Sequence, residues 1–234
     1  MPALSGSETL TLWERGKPCH PLDRALLALR AVERSGSESV ADWPLGRRNH
    51  ALLELHAAWF GSQLEAWAAC PACSENMEFE LNVWDLAAPQ RDEERQSTVA
   101  VDEQIFRLPT SRDVAYAAKS NSERGGAIAL LERCRIGGAE PSGWTDEIIE
   151  RVGDSLAAAD PMAETRLALT CPACGHEWIE RIDAASFIWA GLEASARRLM
   201  WEVHSLASAY GWTESETLSL SASRRALYLE MVGA

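Results

Sequence analysis

Apolar residues recur at two spacings along this chain, every three or four positions in some stretches and every second position in others, and the changeovers mark its elements. Pro21 suits a first helical turn, where a missing N–H costs nothing, and Leu22, Leu26 and Leu29 then repeat at helical spacing through Glu33. Ser35-Gly36-Ser37 predicts the end of that helix, while Met1 to Gly16 before it reads as a polar start. Past Trp43-Pro44-Leu45-Gly46 a second helix is expected, with Leu52, Leu55 and Trp59 on one face. It is interrupted near Gly61 and resumes through Leu64, Trp67 and Ala68 directly into Cys70. Alternation then takes over. Met77, Phe79, Leu81 and Val83 alternate with Glu78, Glu80 and Asn82, which predicts a strand with one dry and one wet face. Leu167 and Leu169 alternate in the same way ahead of Cys171.

The stretch between has its own pattern. Polar residues from Ala87 to Thr98 read as a linker. Val99 and Val101, then Ile105, Phe106 and Leu108, flank Asp102-Glu103-Gln104 and predict a hairpin. Thr110 with Asp113 three residues later can satisfy free N–H groups at a helix start, so helices are placed over 111–119 and 123–135, stopped by Gly137-Gly138. An amphipathic helix from Thr145 through Ala157 turns Ile148, Ile149, Val152 and Leu156 inward. Near the C-terminus, Asp183 precedes a long helix striped with Ile188, Leu192, Leu199, Val203, Leu206 and Tyr210, which Gly211 is placed to end. Thr213-Glu214-Ser215-Glu216 restarts as a capping box, and Ser221 opens a last helix carrying Leu227, Leu229 and Met231.

Composition narrows the class. With 234 residues, 47% of them hydrophobic, the chain can bury a real core. Its 22 basic and 35 acidic residues give a net charge of −13, the wrong sign for a protein that binds phosphate backbones by releasing counterions. No run approaches the ~20 apolar residues of a membrane span. Ten tryptophans stand against three tyrosines. Most should fill the core, with Trp189, Trp201 and Trp212 as candidates for a contact surface, where a large rigid ring desolvates well.

The chemistry is concentrated in a repeated tetrapeptide, Cys70-Pro71-Ala72-Cys73 and Cys171-Pro172-Ala173-Cys174. Paired C-x-x-C knuckles supply the four thiolates of a structural zinc site, whose closed tetrahedron leaves no position for water or substrate. The second knuckle continues as Gly175-His176-Glu177-Trp178, the turn and strand such sites favour. The gap is unusual, with 97 residues separating Cys73 from Cys171. Closing a loop of that length costs about 4 kcal/mol, whereas structural zinc contributes roughly 10–16 kcal/mol at neutral pH. Metal binding therefore outweighs closure. One zinc ion held by Cys70, Cys73, Cys171 and Cys174 is the expectation, with no catalytic residues and no small-molecule substrate.

Other uses of these thiols fit the sequence less well. A C-P-x-C thiol–disulfide centre needs a helix N-terminus in a thioredoxin-like unit, a context missing here. Two disulfides would need an oxidising compartment, but residues 1–16 are polar and charged from the eighth on, so a reducing cytoplasm is expected. Cys19 and Cys134 read as ordinary buried thiols, ahead of a Cys19-His20 metal or catalytic dyad.

The expected fold is α+β, mainly helical, with a small zinc-ribbon-like β module split by a long mixed insertion and followed by a helical C-terminal segment. Its parts are an N-terminal helical region over 1–69, the first knuckle and strand over 70–86, and an inserted hairpin-plus-helices subdomain over 87–165. The second knuckle and strand follow over 166–183, then a helical hook over 184–234.

The run from Glu202-Val203-His204 to Tyr210-Gly211-Trp212-Thr213-Glu214, ending Arg224-Arg225-Ala226-Leu227-Tyr228-Leu229-Glu230, carries a likeness. It resembles the C-terminal signature of the baseplate hub assembly chaperone family of T-even-type phages, with relatives in gene clusters for phage-derived contractile injection systems. Leu108-Pro109-Thr110-Ser111-Arg112-Asp113, both knuckles and Phe79-Glu80-Leu81 extend the resemblance over most of residues 45–234. The resemblance implies a non-enzymatic role in assembling hub or wedge proteins of a contractile-tail baseplate in the cytoplasm of the producing bacterium, with hub or spike proteins as the expected partners. His204 and the pairs Arg197-Arg198 and Arg224-Arg225 join the three tryptophans as candidate partner contacts. The competing expectation is a zinc-ribbon nucleic-acid- or transcription-associated factor, against which the acidic balance argues.

Overall fold

The computed structural model describes residues 4–33, 39–86, 97–138 and 143–233. Most of them are helical, and the strands form three small antiparallel sheets. The helices are α1 (Gly6–Gly16), α2 (Pro21–Val32), α3 (Leu45–Phe60), α4 (Val83–Leu86), α5 (Ser111–Ala117), α6 (Glu123–Cys134), α7 (Asp146–Ala159), α8 (Ala184–Tyr210), α9 (Glu214–Ser219) and α10 (Ala222–Gly233). The strands are β1 (Gln63–Ala69), β2 (Asn76–Asn82), β3 (Thr98–Val101), β4 (Gln104–Arg107), β5 (Arg135–Gly138), β6 (Thr165–Thr170) and β7 (Glu177–Ile182). The chain divides into two compact units that do not follow contiguous segments.

One unit is helical and contains α1, α2, the end of α3 and nearly all of α8 to α10. Within the polar start expected over residues 1–16, Gly6–Gly16 form a helix. The Ser5 N–H donates to Glu8 Oε2 at 2.9 Å and the Glu8 N–H to Ser5 Oγ at 3.2 Å, a reciprocal cap that the spacing Ser5-x-x-Glu8 already permits. Leu10 packs with Ala196 and Leu199, and Trp13 and Leu218 lie against them. Helix α8 ends where expected, with Gly211 in the left-handed region at φ +69° and its N–H on Ala207 O. Thr213 and Glu216 form the expected box at α9.

The other unit holds the sheets. Strands β3, β4 and β5 form one sheet whose residues Val99, Val101 and Phe106 make a core with Leu108, Leu131 and Cys134, closed by Val152 and Leu156 of α7. The expected inward face of α7 is thus the observed one. Gly137-Gly138 do not merely stop α6. They lie in β5, which pairs with β4 and satisfies a strand edge that would otherwise stay open. Asp113 is fully buried beneath this sheet's rim, accepting from Arg107 at 2.6 and 2.9 Å, from Arg133 at 2.8 Å, and from the Thr110 N–H and hydroxyl at 3.0 and 2.7 Å.

At the start of α3, the Gly46 N–H donates to Asp160 Oδ2 at 2.8 Å, and a Cβ at position 46 would lie 1.7 Å from Asp160 Oδ1. Any side chain at position 46 would displace the Asp160 carboxylate from this bond. Asn49 Nδ2 donates to the carbonyls of Met162 and Ala163, and Arg48 donates to Ser111 Oγ. The Gly46 and Asn49 bonds join the start of α3 to the segment just before β6, and the Arg48 bond joins it to the start of α5.

Two further antiparallel hairpins complete the unit, β1–β2 and β6–β7. The helix expected to resume after Gly61 is therefore overturned: residues 63–69 are a strand, and the first knuckle is the turn of a hairpin. Leu64 and Ala68 are buried and Ala66 half-buried, while Glu65, Trp67 and Ala69 face out, which is a period of two. Leu64, Trp67 and Ala68 also fit helical spacing, so the spacing of apolar residues alone does not separate helix from strand here. The expected stop at Ser35-Gly36-Ser37 and most of the expected linker, residues 87–96, lie outside the described residues.

Candidate metal centre

Each knuckle is a tight turn closed by the same two backbone bonds. In the first, the Cys70 N–H donates to Glu75 O at 2.9 Å and the Ser74 N–H to Cys70 O at 2.8 Å. In the second, the Cys171 N–H donates to His176 O and the Gly175 N–H to Cys171 O, both at 2.9 Å. This turn needs a left-handed residue at its fourth step, supplied by Ser74 at φ +62° and Gly175 at φ +73°. Neither C-x-x-C stands at a helix N-terminus, and the sulfurs are unbridged.

The two turns converge. Cys70 Sγ lies 3.7 Å from Cys174 Sγ and Cys73 Sγ lies 3.6 Å from Cys171 Sγ, with all four sulfurs within 4.8 Å of one another. A tetrahedral ion with sulfur ligands at about 2.3 Å has S···S edges of about 3.8 Å, so the set fits such an ion. Cys70 and Cys171 are buried, and Cys73 and Cys174 sit on the solvent side. The four residues singled out from the doubled motif are thus brought together.

Their electrostatics show why these thiols suit a cation. Burial opposes ionisation of Cys70, yet the N–H groups of Cys73 and Ala72 and the neighbouring thiols of Cys171 and Cys174 bring it down to about 7. At Cys73 the Glu75 N–H favours the thiolate, but Cys174, burial, Cys171 and Cys70 together push it up to about 12. One negative charge is welcome among these sulfurs and a second is resisted. A dication removes that resistance.

The other candidate residues fall in different surroundings. Trp201 is 59% exposed on α8, and His204, Arg197 and Arg224 are exposed, with Arg197 paired to Glu193 at 2.9 Å. Arg198 is mostly exposed and bridges to Glu202 at 3.3 Å. Trp189 is half-buried under the Arg24 guanidinium, and Trp212 is half-buried, stacked on Tyr210 and edge-on to Tyr228. Arg225 is inside, donating to Glu202 at 2.7 Å and to Leu220 O at 2.6 Å. Of the lone cysteines, Cys134 is buried and its thiol is pushed up to about 11, chiefly by burial. Cys19 is only half-buried, and His20 beside it accepts from the Leu22 N–H as the cap of α2. Sequence reading passed over Trp67 and Trp84, which are 76% and 55% exposed. Trp67 was hidden by its assignment to a helix.

No family model matches the chain, and no curated protein or solved structure matches it either. Among the described residues, no helix is long and apolar enough to cross a membrane.

Proposed function

We propose that the four cysteines hold one structural zinc ion and that the chain is a non-enzymatic assembly chaperone or adaptor for the baseplate of a contractile phage tail or injection system. The observation that carries the metal reading is the closed set of four sulfurs at tetrahedral spacing. Four protein ligands leave zinc no open position, so the bound ion supplies only a cross-link between the tips of two hairpins. The hairpins belong to separate sheets, which makes that link the natural fastening between them.

The assembly reading rests on the resemblance carried by Glu202 to Glu230, a stretch that spans the end of α8 and the two short helices after it. Hub or spike proteins would be the partners, met in the bacterial cytoplasm before they join the particle. An acidic protein can keep such a partner soluble while its sticky surface is covered. Co-expression with hub and spike proteins, pull-down of the chain and metal analysis of the eluate test both parts. One zinc per chain together with co-purified hub or spike protein is the expected result. Metal without either partner would end the assembly reading, and a metal-free folded chain would end the zinc reading.

A further inference from the structure

The two knuckle hairpins present opposite versions of one outward face. Counted back from the leading cysteine, Glu65 in the first hairpin stands where Arg166 stands in the second, and Trp67 where Ala168 stands. On the returning strands Glu78 corresponds to Ile179 and Glu80 to Arg181. Strand register confirms the correspondence. Glu65 pairs with Glu80 and Trp67 with Glu78, while Arg166 pairs with Arg181 and Ala168 with Ile179. All eight residues are exposed, Trp67 to 76% and Ile179 to 59%.

Each face is unsatisfied alone. Like charges directly opposite in an antiparallel pair destabilise it, and both hairpins carry such a pair at the same level, one negative and one positive. Among the described residues, Glu65, Glu78 and Glu80 have no cationic partner. Arg166 and Arg181 share a single carboxylate, Glu164, at 2.5 and 2.8 Å, which leaves that face net positive. The apolar centres differ in size as well as the charges in sign. One face raises a tryptophan ring where the other has an alanine beside an isoleucine, and the residues around Trp67 line an open cavity of about 600 Å³.

We propose that the outer face of β1–β2 in one copy of the chain docks on the outer face of β6–β7 in a second copy. With the knuckle ends aligned, Trp67 covers Ala168 and Ile179, and Glu65 and Glu80 meet Arg166 and Arg181. Facing sheets pack about 10 Å apart, a gap that a tryptophan opposite an alanine fills. A hairpin face of this length measures about 20 by 10 Å, so each contact is smaller than a standard interface and the association is weak and salt-sensitive. The two surfaces differ, so the contact is heterologous, and every copy offers one of each. This inference stands apart from the assembly role and from the identity of the metal.

Sedimentation equilibrium of the full, metal-loaded chain at about 20 mM and about 500 mM salt tests it. The average mass should rise above 25.7 kDa with concentration at low salt and return to it at high salt. Trp67→Ser should weaken association at least about tenfold, because it removes the apolar anchor and leaves an exposed strand position otherwise unchanged. E65R/E80R and R166E/R181E should each stay monomeric alone and should associate when mixed, since only the mixture restores opposite charges. A wild-type chain that stays at 25.7 kDa at every concentration overturns the proposal. So does a mixture no better than either variant while both keep the wild-type circular dichroism and metal content. Should a charge-reversed chain fail to fold, Trp67→Ser decides the matter, and unchanged association overturns it.

Discussion

Ser74 and Gly175 hold the same left-handed backbone position in the two knuckles, one at φ +62° and the other at +73°. A side chain in that conformation costs roughly 1–2 kcal/mol, which glycine avoids at the expense of a floppier unfolded chain. Nothing approaches the position of a Cβ at residue 175, so the comparison is one of backbone strain alone. Ser74→Gly should therefore stabilise the metal-loaded protein by about 0.5–1 kcal/mol, and Gly175→Ala should destabilise it by about 1 kcal/mol. Urea denaturation of the two variants reads both signs, and equal effects in the same direction would contradict this account of the turn.

Metal uptake should depend steeply on pH. Only the thiolate binds, so protons compete with the ion, and affinity rises with pH as the thiols are released. Cys70 sits at about 7 while Cys73 is pushed up to about 12, so a loaded site must expel several protons near neutrality. Competition with a chromophoric chelator should show zinc affinity increasing by more than about tenfold per unit between pH 6 and pH 7. A lightly buffered indicator should report acid released on loading. A flat profile would mean that the sulfurs are not the ligands.

Much of this centre was legible in the sequence, for a physical reason. A C-x-x-C turn is local, so its repetition announces two half-sites whatever the fold between them does. Strand β2 was legible too, because Met77, Phe79 and Leu81 alternate cleanly with glutamates. Strand β1 was not, since Leu64, Trp67 and Ala68 satisfy a helix as well as a strand. The better cue was the knuckle itself, which both times joins two antiparallel strands. The contact of Gly46 with Asp160 had no local signature, because its partners lie 114 residues apart. Helix α1 shows the reverse case, a cap that was present in the sequence and outweighed by the polarity around it.

Asp113 should make the larger unit sensitive to acid. Burial alone would raise its pKa, but bonds from Arg107, Thr110 and Arg133 outweigh burial and hold it well below the ordinary carboxylate range. A folded pKa depressed in this way gives stability that is complete above the unfolded value near 3.8 and is lost as pH falls below it toward the folded value. Asp113→Asn should cost about 1–3 kcal/mol at pH 7, since it takes the negative charge from two arginines that are each about a third exposed and so keep part of their hydration. That difference from wild type should shrink as the comparison is repeated below pH 4. Chemical denaturation across that range checks it.

Arg224 and Arg225 are neighbours in sequence with opposite environments, and this yields a sharp contrast. The Arg225 side chain is 7% exposed and its partner Glu202 10% exposed, with the guanidinium also donating to the Leu220 carbonyl at the end of α9. Removing it leaves the buried Glu202 carboxylate with only the more exposed Arg198 at 3.3 Å and frees a helix-terminal carbonyl, which costs about 2–3 kcal/mol. Arg224 faces solvent, and Arg224→Ala should change stability by less than about 0.5 kcal/mol. If this end of the chain grips a partner, Arg224 can touch it directly, whereas Arg225 acts by fixing the angle between α8 and α10. Arg224→Ala should then weaken capture of a hub or spike protein without moving the melting temperature, and Arg225→Ala should lower both together. Loss of capture in Arg225→Ala at an unchanged melting temperature would instead place that guanidinium at the contact.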